Sequence, residues 1–440
     1  WPAPTATTPL HARLTLPGSK SLTNRELVLS ALAGGPSVLR RPLHSRDTAL
    51  MVEALKSLGA SVAELAGDGI GPDLRIAPGE LSGGVSIEAG LAGTVMRFLP
   101  PVAALALGPV SIDGDPAARR RPMRTTIRSL RDLGVDVTDD GRGTLPFTIH
   151  GTGEVEGGEL SIDASASSQF VSGLLLAAPR FLRGLTLRHT GERLPSLPHI
   201  EMTIATLAAR GVVVENPEPG VWVVPPADIR GIEVVIEPDL SNAAPFLAAA
   251  VVAGGEVTVE GWPDATTQVG DRLADLLGRY GASVRRDGAA LTVDGGAGIR
   301  GGAVLPGIDL DLGEAGELAP TFAALAALAG APGRITGIAH LRGHETDRLA
   351  ALAAELGGLG ARVTELDDGL AFEPAALHGG LWHSHDDHRM ATTGALVGLV
   401  VPGVEIDDIA TTAKTLPEFV ELWTRMRHPV AVDPLHWPSI

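Results

Sequence analysis

Two lysines and two glutamates stand where phosphate and proton chemistry could take place. Only three lysines occur among the 35 basic residues of this 440-residue chain: Lys20, Lys56 and Lys414. Arginine cannot replace a compact, flexible ammonium without changing geometry, so a chain rich in arginine is expected to keep lysine where that geometry matters. Lys20 lies in the turn-rich motif PGSKS and Lys414 in AKTLP. We predict chemical roles for these two and a surface role for Lys56, although each could also be an ordinary solvated charge.

Glu317 and Glu345 are the candidates for acid–base work. Each lies at the head of a predicted helix beside basic or turn residues, where the pKa of a carboxylate can be tuned for proton transfer. Taken alone, each could instead be a helix cap. Basic residues in first turns oppose the helix dipole, so their repetition indicates bound anions. They are Lys20, Arg25, Arg97 and Arg389, and other helices open at Arg121, Arg348 and Lys414.

The elements that carry these residues recur at a fixed interval. One residue near each start of six Ala/Leu-rich helices gives spacings of 74, 74, 74, 75 and 72, which is typical of a repeated supersecondary unit. The six are Lys20, Thr94, Ser168, Asn242, Glu317 and Arg389. A second helix in most units ends at a C-cap glycine, and short alternating runs follow as strands. Six units with two helices and several strands each fill the chain.

The Gly- and Pro-rich turns around 225–240 divide the six units into three and three. We predict an N-terminal domain over 19–236, a C-terminal domain formed by 1–18 plus 237–430, and a tail over 431–440. The first strand, HARLTL, could pair with the last unit. The first helix of each unit is apolar nearly all round and therefore buried. If the N-termini of these helices point into one interdomain cleft, their free N–H groups form an anion site.

Composition excludes several classes. The chain has no cysteine, which excludes disulfides, zinc–thiolate sites and a cysteine nucleophile. A net charge of −17 argues against a nucleic-acid partner. No apolar run reaches the roughly 18 residues that span a bilayer. We expect a soluble, cytoplasmic monomer without a membrane partner. Two histidine-rich motifs, WHSHDDHR and HLRGHE, do not match the HExxH order, so we predict no metal site.

At these residues the chain resembles the 5-enolpyruvylshikimate-3-phosphate synthase family of enolpyruvyl transferases. The motifs that carry the resemblance run in family order over nearly the whole chain: PGSKSLTNR (17–25), AGTVMR (92–97), RRP (120–122), SSQF (167–170), HETDRL (344–349), DHRM (387–390) and AKTLPEF (413–419). The resemblance implies an α/β fold of two similar domains, each of three βαβαββ-type units with inward-facing helices, that close on substrate. It also implies transfer of the enolpyruvyl group of phosphoenolpyruvate to the 5-hydroxyl of shikimate 3-phosphate, in aromatic amino-acid biosynthesis, without metal or organic cofactor.

The resemblance implies roles residue by residue. Phosphoenolpyruvate would be bound by Lys20, Gly93 (backbone N–H), Arg121, Gln169, Arg348, Arg389 and Lys414. Shikimate 3-phosphate would be bound by Lys20, Ser21, Arg25, Ser167, Ser168, Gln169, Ser196, Glu317 and His340. Glu317 would be the base for the 5-hydroxyl and Glu345 the acid for the vinyl carbon. Lys20 and Lys414 would steady the departing phosphate.

Some positions depart from the common family pattern and suggest a high-GC, actinobacterial-type branch. Glu317 replaces the usual Asp, His340 an Asn, His344 a Lys, and Leu91 the Asn before AGT. The main alternative is the sister enzyme that acts on UDP-N-acetylglucosamine; it usually carries a loop cysteine and an Asn after the first lysine, where this chain has Ser21. An RNA-end-processing protein of related repeat fold is disfavoured by charge and sparse aromatics. A catalytically dead binding relative is hard to reconcile with the complete motif set.

Overall fold

The computed structural model describes residues 1–428 and has the α/β fold that the repeat predicts. The predicted tail over 431–440 and the last two residues of the predicted C-terminal domain lie outside the described residues. Within residues 1–428 no helix is long and apolar enough to cross a bilayer.

Three units form the N-terminal half, preceded by a strand. The strand and the first unit are β1 (Leu10–Thr15), α1 (Lys20–Leu32), β2 (Ser37–Arg40), α2 (Arg46–Ser57), β3 (Ser61–Gly69) and β4 (Gly71–Ala77). The second unit is β5 (Val85–Glu88), α3 (Gly93–Ala103), β6 (Leu107–Asp113), α4 (Arg124–Asp132), β7 (Asp136–Thr138) and β8 (Phe147–Thr152). The third unit is β9 (Gly158–Ile162), α5 (Gln169–Ala177), β10 (Leu185–His189), α6 (Leu197–Ala209), β11 (Glu215–Glu218) and β12 (Val221–Val224).

Three more units form the C-terminal half. The fourth is β13 (Glu233–Val235), α7 (Leu240–Ala253), β14 (Gly255–Glu260), α8 (Leu273–Arg279), β15 (Ser283–Asp287) and β16 (Ala290–Asp294). The fifth is β17 (Asp309–Asp311), α9 (Ala319–Ala327), β18 (Gly333–Thr336), α10 (Arg348–Gly358), β19 (Arg362–Glu365) and β20 (Leu370–Glu373). The sixth, as far as it is described, is β21 (Gly380–Trp382), α11 (His388–Gly398), β22 (Val404–Ile406) and α12 (Phe419–Arg427).

The sheets explain the repeat. In the second unit β5 pairs parallel with β6, and β8 and β7 add antiparallel strands, in the order β5-β6-β8-β7. The third and fifth units have the same order, β9-β10-β12-β11 and β17-β18-β20-β19. A parallel pair needs a helical crossover, whereas an antiparallel pair needs only a turn. Each complete unit is therefore a βαβαββ element, as predicted.

The first and fourth units exchange their leading strands. β1 precedes the first unit but pairs parallel with β14, and β13 precedes the fourth unit but pairs parallel with β2. The prediction that HARLTL pairs with the last unit was therefore wrong. The residues before it do reach that unit: Ala3 N–H donates to Val404 C=O at 2.8 Å.

This exchange makes the chain cross between the halves twice, and the crossings pair with each other. Ser19 N–H donates to Glu237 C=O at 2.7 Å, and Asp239 N–H donates to Pro17 C=O at 2.9 Å. Gly18 lies between them, where an added Cβ would be 2.3 Å from Arg41 C=O. Only glycine allows this close approach of backbone to backbone.

The apolar core is divided in the same way. One cluster of buried side chains draws on residues 27–236, and the other on residues 3–16 and 240–426. Every residue of α3 and of α7 is buried; both helices are mostly apolar, and α7 is rich in alanine, which lets neighbouring elements pack closely around it. The domain bounds stay a prediction, which this division of the core supports.

Candidate active site

The first helices of all six units begin at the same pocket between the two halves. Its lining includes each of the repeat positions, namely Lys20, Thr94, Ser168, Asn242, Glu317 and Arg389. The convergence inferred from the repeat is therefore present in the structure. Helix N-termini carry free N–H groups and partial positive charge, so a pocket built from six of them favours anions.

Aspartate and serine caps fix several of these helix starts. Ser19 caps α1, and the carboxylate of Asp239 accepts a hydrogen bond from Asn242 N–H at 3.0 Å at the start of α7. The other oxygen of Asp239 accepts from Lys20 N–H at 3.0 Å. One carboxylate thus joins the first turns of α1 and α7, which belong to different halves.

The N-terminal half contributes three arginines whose guanidinium groups form no salt bridge with a carboxylate in residues 1–428. Arg97 donates to Gly93 C=O at 3.2 Å, and Arg121 donates to Leu91 C=O at 3.4 Å. Arg25 donates to Thr203 Oγ1 and to His199 C=O, both at 2.8 Å. All three are buried, and in the described chain these hydrogen bonds go to hydroxyl and carbonyl oxygens rather than to carboxylates.

The burial of these arginines has an electrostatic cost. Burial lowers the pKa of Arg25 to about 9, although the charge of Glu317 opposes the effect. Burial, with the positive charge of Arg121, holds the pKa of Arg97 well below its usual range. A negatively charged ligand would relieve both penalties, because an opposite charge favours the charged form of a side chain.

The C-terminal half carries cations that are paired with carboxylates. Arg348 donates to Asp387 Oδ2 through Nε at 2.7 Å and to Glu345 Oε2 through Nη2 at 2.9 Å. Lys414 Nζ donates to the other oxygen of Glu345. The same ammonium donates to Leu91 C=O of the N-terminal half at 3.2 Å, so it also joins the two halves.

Glu345 is held ionised by this surrounding charge. Burial by itself raises the pKa of its carboxyl, but the cations Lys414, Arg348 and Arg121 outweigh burial and hold the pKa well below its usual range. Burial lowers the pKa of the Lys414 ammonium, and Glu345 raises it. Both groups are therefore sensitive to any anion that enters between them.

Glu317 also lines the pocket, in a short turn of 3₁₀-helix before α9. Its Oε2 is 3.6 Å from His199 Nε2 and 3.4 Å from Arg389 Nη2. Burial raises the pKa of Glu317, but His199, Arg389 and Lys20 outweigh it and lower the pKa to about 2. Its contact with His199 also crosses between the halves.

The three lysines differ in their surroundings, although the chemical roles predicted for Lys20 and Lys414 stay a prediction. The Lys20 side chain lines the pocket, with its Nζ 3.5 Å from Asp47 Oδ2. Lys414 is buried beside Glu345. Lys56 pairs on the surface with Glu53, three residues earlier in the same helix.

Most of the predicted site residues line the pocket. They are Lys20, Ser21, Gly93, Arg121, Ser167, Ser168, Gln169, Ser196, Glu317, His340, Glu345, Arg348 and Arg389. Arg25 and Lys414 lie immediately behind the lining, where Arg25 bonds to Ser21 C=O and Lys414 to Glu345. Gln169 Oε1 is buried and has no hydrogen-bond partner among residues 1–428, which leaves it available to a ligand.

Sequence reasoning missed the role of Asp387. Its carboxylate is fully buried, caps α11 through Arg389 N–H at 2.9 Å and holds the guanidinium of Arg348. The signal was present, since Asp is a favoured N-cap and directly precedes His388 and Arg389. Asp387 belongs to the histidine-rich motif WHSHDDHR, and in residues 1–428 no group of three or more His, Cys, Asp or Glu side chains is arranged to hold a metal.

Two histidines of the pocket, His340 and His344, have lowered pKa values. Burial, followed by the charge of Arg348, lowers the pKa of His340 to about 4. The same two causes hold the pKa of His344 well below its usual range. At neutral pH the pocket therefore combines fixed cations with two ionised carboxylates. Such a site can bind small polyanions and can transfer protons between its carboxylates and the bound ligands.

Comparison with known proteins finds a matching family model and a similar named protein. The family model described as EPSP synthase (3-phosphoshikimate 1-carboxyvinyltransferase) matches residues 4–423. A protein from Kocuria rhizophila named 3-phosphoshikimate 1-carboxyvinyltransferase is 58% identical over 433 residues, covering 97% of this chain and 96% of that protein.

Two solved structures show the same fold. The EPSP synthase from Acinetobacter baumannii superposes with a TM-score of 0.77 at 25% identity, covering 96% of this chain and 97% of that one. The enolpyruvyl transferase NikO from Streptomyces tendae superposes with a TM-score of 0.74 at 19% identity, covering 96% of both chains.

Proposed function

The chain belongs to the EPSP synthase family, the 3-phosphoshikimate 1-carboxyvinyltransferases, and we propose that it carries out that reaction in the pocket where its six helix starts meet. The enzyme transfers the carboxyvinyl group of phosphoenolpyruvate to the 5-hydroxyl of shikimate 3-phosphate and releases phosphate, a step of aromatic amino-acid biosynthesis. The observation that carries the residue assignments is the convergence of two carboxylates and both sets of cations on this pocket.

The reaction requires two proton transfers of opposite direction. A base takes the proton of the 5-hydroxyl while the oxygen bonds to C2 of phosphoenolpyruvate, and an acid adds a proton to C3. The product is a tetrahedral intermediate that carries a methyl group and the phosphate. Phosphate is then expelled and one methyl proton returns to the conjugate base of the acid, which restores the double bond. We assign the base to Glu317 and the acid to Glu345, as the family resemblance implies; both carboxylates line the pocket.

The charges of the pocket support a division of the two substrates. The N-terminal serines Ser21, Ser167, Ser168 and Ser196, with Arg25 behind them, would bind shikimate 3-phosphate, together with Lys20, Gln169, Glu317 and His340. Phosphoenolpyruvate would lie against Gly93 N–H and the basic group formed by Lys20, Arg121, Arg348, Arg389 and Lys414, with Gln169 reaching both substrates. Arg97 joins this group as a buried cation beside Gly93.

The lowered pKa of Glu345 is an obstacle to its role as the acid. An acid has to be protonated before it can donate, whereas Lys414 and Arg348 keep this carboxyl ionised. The phosphate and carboxylate groups of phosphoenolpyruvate would share those cations, which raises the pKa of Glu345. Binding of phosphoenolpyruvate would therefore favour the protonated form of Glu345, which is the form that can donate a proton.

No metal or organic group is needed for these steps, because both substrates carry their own reactive groups. The alternative acceptor, UDP-N-acetylglucosamine, finds no support in the family match or in the Kocuria rhizophila relative. We also propose that the enzyme is a cytoplasmic monomer; the net charge of −17 supports the absence of a nucleic-acid partner.

The proposed function is tested by measuring phosphate release from phosphoenolpyruvate with each of two acceptors. We expect release with shikimate 3-phosphate and none with UDP-N-acetylglucosamine or without an acceptor. Release that is independent of shikimate 3-phosphate, or that requires UDP-N-acetylglucosamine, would contradict the proposal.

A further inference from the structure

The loop of residues 383–387, just before α11, has an unfavourable backbone. His385 and Asp386 both adopt left-handed conformations, with φ of 53° and 56°. Such a conformation is uncommon for any residue other than glycine, and two in succession must be held by their surroundings. The loop lies in the histidine-rich motif WHSHDDHR, to which the reaction gives no role before Asp387.

One buried carboxylate holds this loop. Glu355, in α10, is 7% exposed. Its Oε1 lies 2.7 Å from His385 Nε2, and its Oε2 accepts a hydrogen bond from His383 N–H at 2.9 Å. A second carboxylate, Asp407, accepts from the Ser384 N–H at 2.8 Å and so holds the outer side of the loop.

The end of the loop carries the groups that fix two arginines of the pocket. Asp387 binds the guanidinium of Arg348 through both of its oxygens, at 2.7 and 3.2 Å. It also caps Arg389 N–H, and the Arg389 guanidinium donates to Ser241 Oγ at 3.0 Å. α10 is therefore tied to the loop twice, through Arg348 at its first turn and through Glu355 two turns later.

We propose that Glu355 and His385 are positioning residues for Arg348 and Arg389. Their hydrogen bond keeps the left-handed loop in place, and the loop sets Asp387, which orients the guanidinium of Arg348 and fixes the backbone of Arg389 at the start of α11. Neither residue lines the pocket where the six helix starts meet. The proposal rests on the proposed function for one point, the assignment of the two arginines to phosphoenolpyruvate.

The test compares Glu355→Ala with Glu355→Gln in steady-state kinetics. We expect Glu355→Ala to raise the KM for phosphoenolpyruvate about tenfold, with the KM for shikimate 3-phosphate nearly unchanged, because displaced binding groups weaken only the substrate that they touch. Glu355→Gln keeps an oxygen for His383 N–H and an amide for His385, so it retains the KM of the wild type. The matched control is Glu373→Ala, which removes an exposed glutamate from the same unit.

A second substitution distinguishes positioning from general stability. Asp386→Gly relieves one left-handed position. In the Glu355→Ala background this substitution should lower the KM for phosphoenolpyruvate most of the way back to the wild-type value, although it restores no hydrogen bond. If Glu355→Ala does not fold, His385→Ala serves instead, because it leaves the bond between Glu355 and His383 intact.

Amide hydrogen exchange tests the loop independently of activity. Exchange of Arg389 N–H should accelerate in Glu355→Ala and return toward the wild-type rate after Asp386→Gly is added. An inactive wild type would contradict the proposed function, whereas the exchange result would still decide the role of Glu355. Unchanged exchange and KM in Glu355→Ala, or an equal rise in KM for both substrates without rescue by Asp386→Gly, would overturn the proposal.

Discussion

Lys20 and Lys414 reach the pocket from opposite ends of the chain and meet different partners there. The Lys20 side chain is 19% exposed and its ammonium lies beside Asp47, whereas Lys414 is buried between Glu345 and Leu91 C=O. A small ammonium fits both places, while a planar guanidinium would collide with the neighbouring groups or displace them. The rarity of lysine in the sequence therefore corresponds to two confined positions in the structure.

Lys20→Arg is expected to lower kcat/KM by about 100-fold, because the larger head group cannot occupy the same point in the pocket. Lys56→Arg is the matched control, since its ammonium pairs with Glu53 on the surface. Initial rates of phosphate release measure both. Equal activity of the two variants would show that the scarcity of lysine carries no functional meaning.

Anion binding should be coupled to proton uptake through Glu345. The pKa of this carboxyl is held below its usual range by Lys414, Arg348 and Arg121. A bound anion shares these cations and raises the pKa, so protons are taken up, most strongly at mildly acidic pH and less as pH rises.

Calorimetric titration of inorganic phosphate, with shikimate 3-phosphate present, measures this uptake when repeated in buffers of different ionisation enthalpy. A bound anion would also favour the charged forms of His340 and His344 and so add to the signal, so the informative quantity is the difference between the wild type and Glu345→Gln. We expect the variant to take up fewer protons. Equal uptake would assign the effect to the histidines alone.

At the scale of the elements, a buried ion pair joins α1 to the C-terminal end of α6. The Arg210 guanidinium donates to Glu26 Oε2 at 2.6 and 2.9 Å, and both side chains are almost fully buried. Burial raises the pKa of Glu26, and Arg210 opposes the effect. Removal of either partner would leave an uncompensated charge in the interior.

Glu26→Ala should therefore lower the free energy of unfolding by about 3–5 kcal/mol. The control is Glu218→Ala, which breaks the exposed pair with Arg188 in the same half and should cost less than about 1 kcal/mol. Denaturant titration of both variants provides the measurement. Similar small losses in both would mean that the N-terminal half can hydrate or neutralise Arg210.

The elements also show how far the sequence could lead. The 74-residue interval was enough to predict the six units and their meeting point, because each unit repeats its own local pattern of turn, helix and strand. The exchange of β1 and β13 could not be predicted, since the pattern of an edge strand does not specify which sheet completes it. Asp387 was missed for a similar reason: its partner Arg348 lies 39 residues away in the sequence.

At the scale of the whole molecule, the two halves meet on several sides of the pocket. Ser196 N–H donates to Gly313 C=O at 3.2 Å, Lys414 donates to Leu91 C=O, and His199 faces Glu317. The two crossings of the chain connect the halves at 17–19 and 237–239. These contacts bring the cations of the N-terminal half and the carboxylates of the C-terminal half to one pocket, and they are the contacts that a domain closure on substrate would have to form.

The most direct test of this account is deuterium incorporation during turnover in D₂O. If Glu345 protonates C3 of phosphoenolpyruvate within the closed pocket, the intermediate gains one deuterium in its methyl group, and the enolpyruvyl product retains part of that label. We predict labelled product and phosphate release for the wild type and for the control Glu314→Gln, which alters a neighbouring cleft. For Glu345→Gln we predict that both labelling and release fall together by about 100-fold or more. Labelling by Glu345→Gln at the wild-type rate would contradict the assignment of Glu345 as the acid.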